Sequence, residues 1–278
     1  MQSSLLLACL AAAVGADAPS PSTREVLAGL QSFYRKTARP DGSFLPGIDP
    51  AYRGMSDSAY SDLAAVTYAA AMPTLIAAYP PLRTYLARLG SRQIRTLGTI
   101  GGNLGTASPI GDMPPVLLAL ATRLKLVSIR GARELPLDEF FLDYRKTALA
   151  PDEVIESLSI PRLWPGEIFF CDKVSKRRDQ DISTVAGAYR LRIRHGKIEN
   201  ARLAFGGMAA IPKRAGNAEA ALLQSGFTAA AAALAQDFQP IDDWRGSGLY
   251  RLQVAANLLR RLELRVADPA RAVEVEAL

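Results

Sequence analysis

Cysteine and histidine are almost absent from this chain of 278 residues. Its two cysteines are Cys9 and Cys171, and its single histidine is His195. Two cysteines provide neither a disulfide framework nor a zinc-ligand set, and they suit a reducing compartment. His195 lies in the segment RHGKIEN, which is typical of an exposed hairpin turn. The sequence therefore supports neither catalysis by a serine–histidine pair nor a metal centre built by this chain.

The apolar run near the start, Leu5–Val14, is too short to span a bilayer. Small residues follow it, as in a signal peptide, but no lysine or arginine precedes it. Leu6–Cys9 resembles a lipoprotein cleavage site, although it comes very early in the chain. A signal peptide and a buried helix are two interpretations, and a third depends on the resemblance described below. We expect an intact N-terminus, a cytoplasmic protein and no membrane partner.

The chain carries a formal net charge of +6 and a sequence pI of about 9.4. Its basic residues are scattered and mostly interleaved with acids, apart from the stretches KVSKRRDQD and LLRRLELR. Because no nucleic-acid-binding motif accompanies them, we predict no nucleic-acid partner. With 49% hydrophobic and 22% charged residues, the composition is that of a globular protein with an apolar core.

A glycine-rich polar stretch, Thr99–Pro115, lies between a basic helical segment and an apolar run. Gly101 and Gly102 lack a Cβ, so the backbone there can adopt positive φ and present successive N–H groups to an anion. Asn103 offers a donor and an acceptor, and the carboxylate of Asp112 can accept from sugar or ribityl hydroxyls. This set suits a ligand with phosphates and hydroxyls, such as a dinucleotide. A Gly-Asn turn flanked by helix caps is the alternative interpretation.

Residue patterns predict the elements on both sides of this stretch. Apolar residues at helical spacing predict two helices separated by Pro80–Pro81, and Pro114–Pro115 marks the start of a further helix. From residue 162 onward the expected order is strand, strand, hairpin turn, strand and then helices. The pair Gly206–Gly207 is more typical of a strand bulge or a close-packing point than of a second phosphate loop.

The segment TIGGNLGTASPIGDMPPVLLAL resembles the flavin-binding motif of the FAD subunit or domain of molybdenum hydroxylases. Three further segments match the same family in order, namely Leu135–Pro161, Lys173–Ser183 and Ala201–Ala215. The resemblance runs from about Asp62 to about Leu264. Within the family it is strongest to the FAD-binding small subunits of bacterial xanthine dehydrogenases.

The resemblance implies an α+β fold, in which an FAD-binding subdomain of the vanillyl-alcohol-oxidase type precedes a small C-terminal β-sheet with helices. It divides the chain into a helical remnant of a two-iron two-sulfur domain (1–30), a linker (31–61), the second FAD-binding subdomain (62–161) and the flavoprotein C-terminal domain (162–278). It also implies a set of FAD-binding residues: Leu89, Thr99, Gly101, Gly102, Asn103, Asp112, Ile155 and Lys173. Without the resemblance, Leu89 and Ile155 would be core residues and Lys173 a surface lysine.

The function implied by the resemblance is electron transfer, with no residue acting as general acid or base. FAD would pass electrons from purine oxidation, at the molybdenum centre of a molybdopterin-binding large subunit, to NAD. The iron–sulfur cluster and molybdopterin would belong to other segments or to the partner subunit, because the cluster cysteines are missing here. The first glycine-rich phosphate loop of the family is also missing, so we predict weak or partial FAD binding. The alternative is a truncated, non-catalytic assembly piece that binds FAD weakly or not at all.

Overall fold

The computed structural model of the chain describes residues 4–8, 24, 25, 28 and 68–268. The fold is mixed α and β, with two four-stranded antiparallel sheets and a two-stranded ribbon in the described ranges. In chain order the elements are β1 Ser4–Ala8, α1 Tyr68–Ala78, α2 Leu82–Ala87, α3 Arg92–Leu97, α4 Ile100–Gly105, α5 Met113–Ala119, β2 Arg123–Ser128, β3 Gly131–Pro136, a 3₁₀ turn Leu137–Glu139, β4 Phe141–Asp143, β5 Lys146–Thr147, β6 Val154–Pro161, β7 Glu167–Val174, β8 Val185–Arg194, β9 Lys197–Gly206, β10 Lys213–Arg214, α6 Gly216–Ser225, α7 Phe227–Asp237 and α8 Gly248–Ala267.

The first sheet has the strand order β1-β6-β2-β3. Its strands β2 and β6 share one hydrophobic core with the helices α1 to α5. The break between α1 and α2 falls at the predicted proline pair, with Pro81 as the N-cap of α2. Just before it, the buried hydroxyl of Tyr79 donates to the carbonyl of Pro161 at the end of β6, at 2.7 Å. Burial raises the pKa of Tyr79 to about 12, so the phenol stays neutral and keeps the helices attached to the sheet.

The strand β1 differs from the helix expected for residues 1–30. Ser4–Ala8 pairs with β6 in antiparallel register, with Ser4 opposite Pro161. A short apolar run has no periodicity that separates helix from strand, and the open edge of β6 offers it backbone partners. Arg24, Glu25 and Ala28 are helical. The rest of the segment 1–30 and the whole linker 31–61 lie outside the described residues.

The second sheet, with the order β10-β9-β8-β7, has two apolar faces. Alternate residues of β7 show this clearly. Phe169 and Cys171 join the core of the first unit, which consists of α1–α5 and β2–β6. Ile168 and Phe170 pack into the core of the second unit, which consists of β7–β10 and α6–α8. Successive side chains of a strand point to opposite faces, so one strand contributes to both cores. The sheet is therefore packed between the first unit on one face and the helices α6, α7 and α8 on the other.

The helix α5 is buried along its whole length between the two units. It packs on β8 and β9, whose small residues Ala188 and Ala204 belong to the same core and allow a close approach. At its C-terminal end, Arg202 donates to the carbonyl of Leu118 at 2.8 Å, a favourable place for a cation. The prediction that Pro114–Pro115 starts this helix is confirmed. Because α5 is fixed at its end and along its sides, the residue that precedes it, Asp112, is fixed as well.

Two predicted backbone features of the second unit are confirmed. The turn between β8 and β9 contains His195 and Gly196, both with positive φ, as a tight hairpin requires. At the end of β9, the N–H of Gly207 donates to the carbonyl of Pro109 at 2.7 Å. A Cβ built on Gly206 would lie 3.0 Å from Cγ of Pro115, so the glycine pair is a close-packing point against the loop before α5. No helix among the described residues is long and apolar enough to cross a membrane.

Candidate functional site

The glycine pair of the motif begins a helix rather than a turn. Thr99 is the N-cap of α4, and its Oγ1 accepts from the N–H of Gly102 at 2.9 Å. The N–H of Asn103 donates to the carbonyl of Thr99 at 3.0 Å. Gly101 and Gly102 have helical rather than positive φ, so the predicted positive-φ turn is wrong. A threonine three residues before Gly102 is a strong N-cap, and capping wins over the conformational freedom of glycine.

The capped first turn of α4 still leaves room for a ligand. Gly102 is exposed and Gly101 half-buried, and neither carries a side chain that covers the backbone. A Cβ built on Gly102 would lie 2.8 Å from Oγ1 of Thr99, whereas one built on Gly105 would meet nothing within 4 Å. A side chain at position 102 would therefore force the Thr99 hydroxyl to shift, in addition to covering the bare surface.

The side chain of Asn103, rather than that of Asp112, caps the N-terminus of α5. Asp112 occupies the N-cap position of α5 but makes no side-chain cap hydrogen bond. Instead, Oδ1 of Asn103 accepts from the N–H of Met113 at 3.3 Å. An aspartate at an N-cap normally accepts from its own helix, so the carboxylate of Asp112 is free for other partners.

Those partners come from the second unit. Nζ of Lys173, on β7, lies 2.6 Å from Oδ2 of Asp112, and Oγ of Ser183 donates to Oδ1 at 2.5 Å. The hydroxyl of Tyr85 donates to the backbone carbonyl of Asp112 at 2.6 Å. The side chains of Lys173 and Asp112 are only 2% and 11% exposed. The structure thus brings together two of the residues predicted from sequence. Without the resemblance, Lys173 would be expected to lie on the surface, but its side chain is buried.

The Lys173–Asp112 pair retains unused hydrogen-bonding capacity. An ammonium group has three donors, and within the described ranges only Asp112 accepts from Lys173. The carboxylate can accept more hydrogen bonds than the two it receives. A buried ion pair contributes little net stability, so its presence beside a bare helix turn points to a ligand. A group with carbonyl oxygens for the lysine and hydroxyls for the aspartate fits this donor and acceptor set, and FAD has both.

The two apolar residues of the predicted set lie on either side of α4 in the chain. Leu89 is buried in the first core, and the turn that contains it is held by Arg95, whose Nη1 donates to the carbonyls of Leu89 and Gly90 at 2.9 and 3.0 Å. Ile155 is half-buried on β6, a strand that α4 contacts. Both positions pack against the first core, so the structure allows them to form the apolar border of a site.

Sequence reasoning missed three residues that hold the polar part of the site. Tyr85 and Ser183 bind Asp112 directly. Arg88 donates to the carbonyl of Lys173 at 2.8 Å and to Oγ of Ser175 at 2.9 Å. Each partner is between 27 and 87 residues away along the chain, so no local pattern reveals these contacts.

Metal chemistry has no support in the part of the chain that the structure describes. No group of three or more histidine, cysteine, aspartate or glutamate side chains there could hold a metal ion. Cys171 is buried, and burial raises the pKa of its thiol well above the ordinary value. The thiol is therefore an inert core group rather than a reactive thiolate.

Comparison with known proteins gives two family matches. The FAD binding domain in molybdopterin dehydrogenase matches residues 56–163. The CO dehydrogenase flavoprotein C-terminal domain matches residues 171–266. The matches follow each other along the chain and correspond to the two structural units described above.

Individual relatives agree with the two family matches. The chain is 43% identical over 120 residues to xanthine dehydrogenase/oxidase of Gallus gallus, which is 42% of this chain and 9% of that protein. It is 40% identical over 168 residues to xanthine dehydrogenase of Emericella nidulans, 58% of this chain and 12% of that protein.

Among solved structures, CO dehydrogenase from Oligotropha carboxidovorans contains a chain with a TM-score of 0.67 and 28% identity, covering 72% of this chain and 73% of that one. The chain spans about a tenth of the length of the curated relatives it matches. The predicted fold and the FAD cofactor are confirmed, and the chain belongs to the FAD-binding flavoproteins of the molybdenum hydroxylases.

Proposed function

We propose that this chain is the flavin module of a xanthine dehydrogenase-type molybdenum hydroxylase. In this proposal FAD receives electrons from purine oxidation on a molybdopterin-binding partner and passes them to NAD. The two curated relatives described above, at 43% and 40% identity, are named xanthine dehydrogenase/oxidase and xanthine dehydrogenase, which favours a purine substrate. The flavin domain would comprise residues 62–161 and the C-terminal domain residues 162–278, in a cytoplasmic complex.

The observation that carries the proposal is the buried Lys173–Asp112 pair, which α4 approaches through the contact of Asn103 with the N–H of Met113. Bound FAD supplies two-electron redox chemistry, which amino-acid side chains lack. The ammonium of Lys173 would stabilise negative charge on a reduced cofactor, because it is held in a site with little water. Asp112 would accept from cofactor hydroxyls and keep the lysine oriented.

The remaining predicted residues would bind and shape the site without taking part in proton transfer. The backbone around Gly101 and Gly102 would face the cofactor, supported by the caps that Thr99 and Asn103 provide. Leu89 and Ile155 would exclude water from the apolar border. The match to the FAD binding domain favours this role over that of a non-catalytic assembly piece.

The test is anaerobic reduction of the reconstituted chain. Because weak binding is predicted, the purified full chain is kept in a saturating concentration of FAD and mixed with NADH or with a purine, with free FAD alone as the control. We expect NADH to bleach the flavin absorbance and the purine to leave it unchanged until a molybdenum-containing partner is added. A flavin that dithionite reduces but NADH does not would refute NAD as the acceptor.

Two lysine variants, one in the site and one outside it, test whether the flavin is reduced next to Lys173. Lys173→Met removes the buried ammonium, whereas Lys176→Met removes an exposed lysine three residues further on. We expect only Lys173→Met to slow flavin reduction by NADH. Equal rates in both variants would show that the flavin is remote from Lys173.

A further inference from the structure

The carboxylate of Asp112 is held on both of its oxygens by residues of the second unit. Oδ2 accepts from Lys173 at 2.6 Å, and Oδ1 accepts from the hydroxyl of Ser183 at 2.5 Å. The carboxylate does not cap its own helix, since Asn103 does so. Its orientation therefore depends on these two contacts, and only one of them involves a residue that the resemblance assigns to the cofactor.

Ser183 is itself rigidly placed. It is fully buried and lies between β7 and β8, at the end of the loop that follows Lys173. The N–H of the next residue, Thr184, donates to the carbonyl of Val174 at 2.8 Å and closes the base of this loop. The hydroxyl of Ser183 is thus presented to Asp112 from a fixed backbone.

Loss of this hydroxyl would release the carboxylate. The terminal torsion of an aspartate has a broad energy well, so a carboxylate held on one oxygen can rotate. Rotation of Asp112 would displace the ammonium of Lys173, because the two atoms are joined by a short contact in a nearly closed space. The hydroxyl of Ser183 therefore helps to fix the position of the Lys173 ammonium through Asp112, without contacting the lysine itself.

We propose that Ser183 is a positioning residue of the flavin site, acting through Asp112 to hold the Lys173 ammonium in place for the cofactor. This inference rests on the proposed function, since it requires FAD to bind at the Lys173–Asp112 pair. It adds a residue that belongs to neither the glycine motif nor the predicted FAD-binding set. It also makes the loop between β7 and β8 part of the site through one hydroxyl group.

The first experiment compares FAD dissociation constants of full-length variants by fluorescence titration. Ser183→Ala should weaken FAD binding about tenfold, the order expected for a hydrogen bond to a charged group. Ser183→Thr keeps the hydroxyl and should restore most of the affinity. Ser128→Ala is the matched control, because Ser128 is also a buried serine with a hydrogen-bonded hydroxyl, which accepts from the N–H of Arg130 rather than contacting Asp112.

A double-mutant cycle separates positioning from general destabilisation. Asp112→Ala removes the acceptor of the Ser183 hydroxyl. If Ser183 acts through Asp112, adding Ser183→Ala to Asp112→Ala should change the FAD dissociation constant by less than about twofold, which is the uncertainty of additivity in such a cycle. A further tenfold loss in the Asp112→Ala background would overturn the inference. Thermal melting of the apo forms shows whether Ser183→Ala and Ser128→Ala are equally folded.

The outcomes distinguish the inference from the function on which it rests. No saturable FAD binding by the wild type refutes the proposed flavin site. Wild-type binding that Ser183→Ala leaves unchanged refutes only the role of Ser183. Equal weakening by Ser183→Ala and Ser128→Ala also refutes it, since loss of a buried serine hydroxyl in general would then be responsible.

Discussion

Replacement of Gly102 tests whether the first turn of α4 is the flavin surface. In Gly102→Ala the new Cβ would lie 2.8 Å from Oγ1 of Thr99, so the threonine side chain must move and the cap is lost. Loss of an N-cap costs about 1 kcal/mol, while alanine in place of glycine within a helix contributes about 1 kcal/mol in the opposite direction. The two effects nearly cancel, and we expect the melting temperature to change little.

Ligand binding has no such compensation. A methyl group on the bare turn would keep a cofactor away from the backbone of α4, and each hydrogen bond lost to a charged phosphate is worth about 1.5–3 kcal/mol. We therefore expect Gly102→Ala to weaken FAD binding by about tenfold or more, and Gly102→Val to abolish it. Gly105→Ala is the control in the same helix, since its Cβ meets nothing within 4 Å.

The assay is FAD titration followed by fluorescence quenching, with melting curves of the apo proteins measured in parallel. Equal dissociation constants for Gly102→Ala, Gly105→Ala and the wild type would refute the placement of the flavin on α4. A large fall in the melting temperature of Gly102→Ala alone would refute the calculated balance between cap and propensity.

Two further predictions concern stability. Gly207 has φ of 78°, and a Cβ built there would lie 2.3 Å from the carbonyl oxygen of Thr184. Gly207→Ala should therefore lower the free energy of unfolding by more than about 2 kcal/mol, as measured by urea unfolding. Gly196→Ala should lower it much less, because φ there is 73° but the Cβ would meet nothing within 4 Å. Hydrogen bonds from Arg133 lower the pKa of Glu153 from 4.5 to about 2, so the stabilisation by Glu153 should be complete above pH 4.5 and be lost as the pH falls towards 2. Glu153→Gln should lack this contribution, and its melting temperature should fall less than that of the wild type over the same pH interval.

The elements around the site were predictable because their signals are local. The turn signal HGKIEN between the segments TVAGAYRLRIR and ARLAFGGMA is enough to predict β8, the turn at His195 and Gly196, and β9. The apolar face of α8 is likewise visible in the sequence, and Leu259 and Leu262 are fully buried there. These signals are local, because a tight turn needs residues that adopt positive φ and α8 buries one face along its length.

The conformation of the motif was harder to predict, since two local tendencies compete within it. Glycine permits positive φ, but a threonine placed three residues before Gly102 favours a capped helix. Both interpretations of the stretch placed a turn at the glycine pair, whereas the structure has a helix there, with Thr99 as its N-cap. The strand Ser4–Ala8 depended on the open edge of β6, which lies about 150 residues away and leaves no trace in the apolar run itself.

The polar centre of the site could not be derived from pattern at all. Lys173 and Ser183 lie 61 and 71 residues from Asp112 along the chain. Their approach depends on the packing of the second sheet against α5, which composition and periodicity do not specify. The resemblance to a family indicated Lys173 and Asp112 as cofactor residues, whereas their direct contact and the part played by Ser183 required the structure.

Hydrogen–deuterium exchange of the full chain with and without FAD tests the central claim most directly, because it shows which backbone amides the cofactor protects. We predict that FAD slows exchange in α4, Ile100–Gly105, and around Asp112 and Lys173, while the hairpin turn at His195 and Gly196 is unchanged. Protection that is absent from α4 and from both members of the Lys173–Asp112 pair would contradict the account.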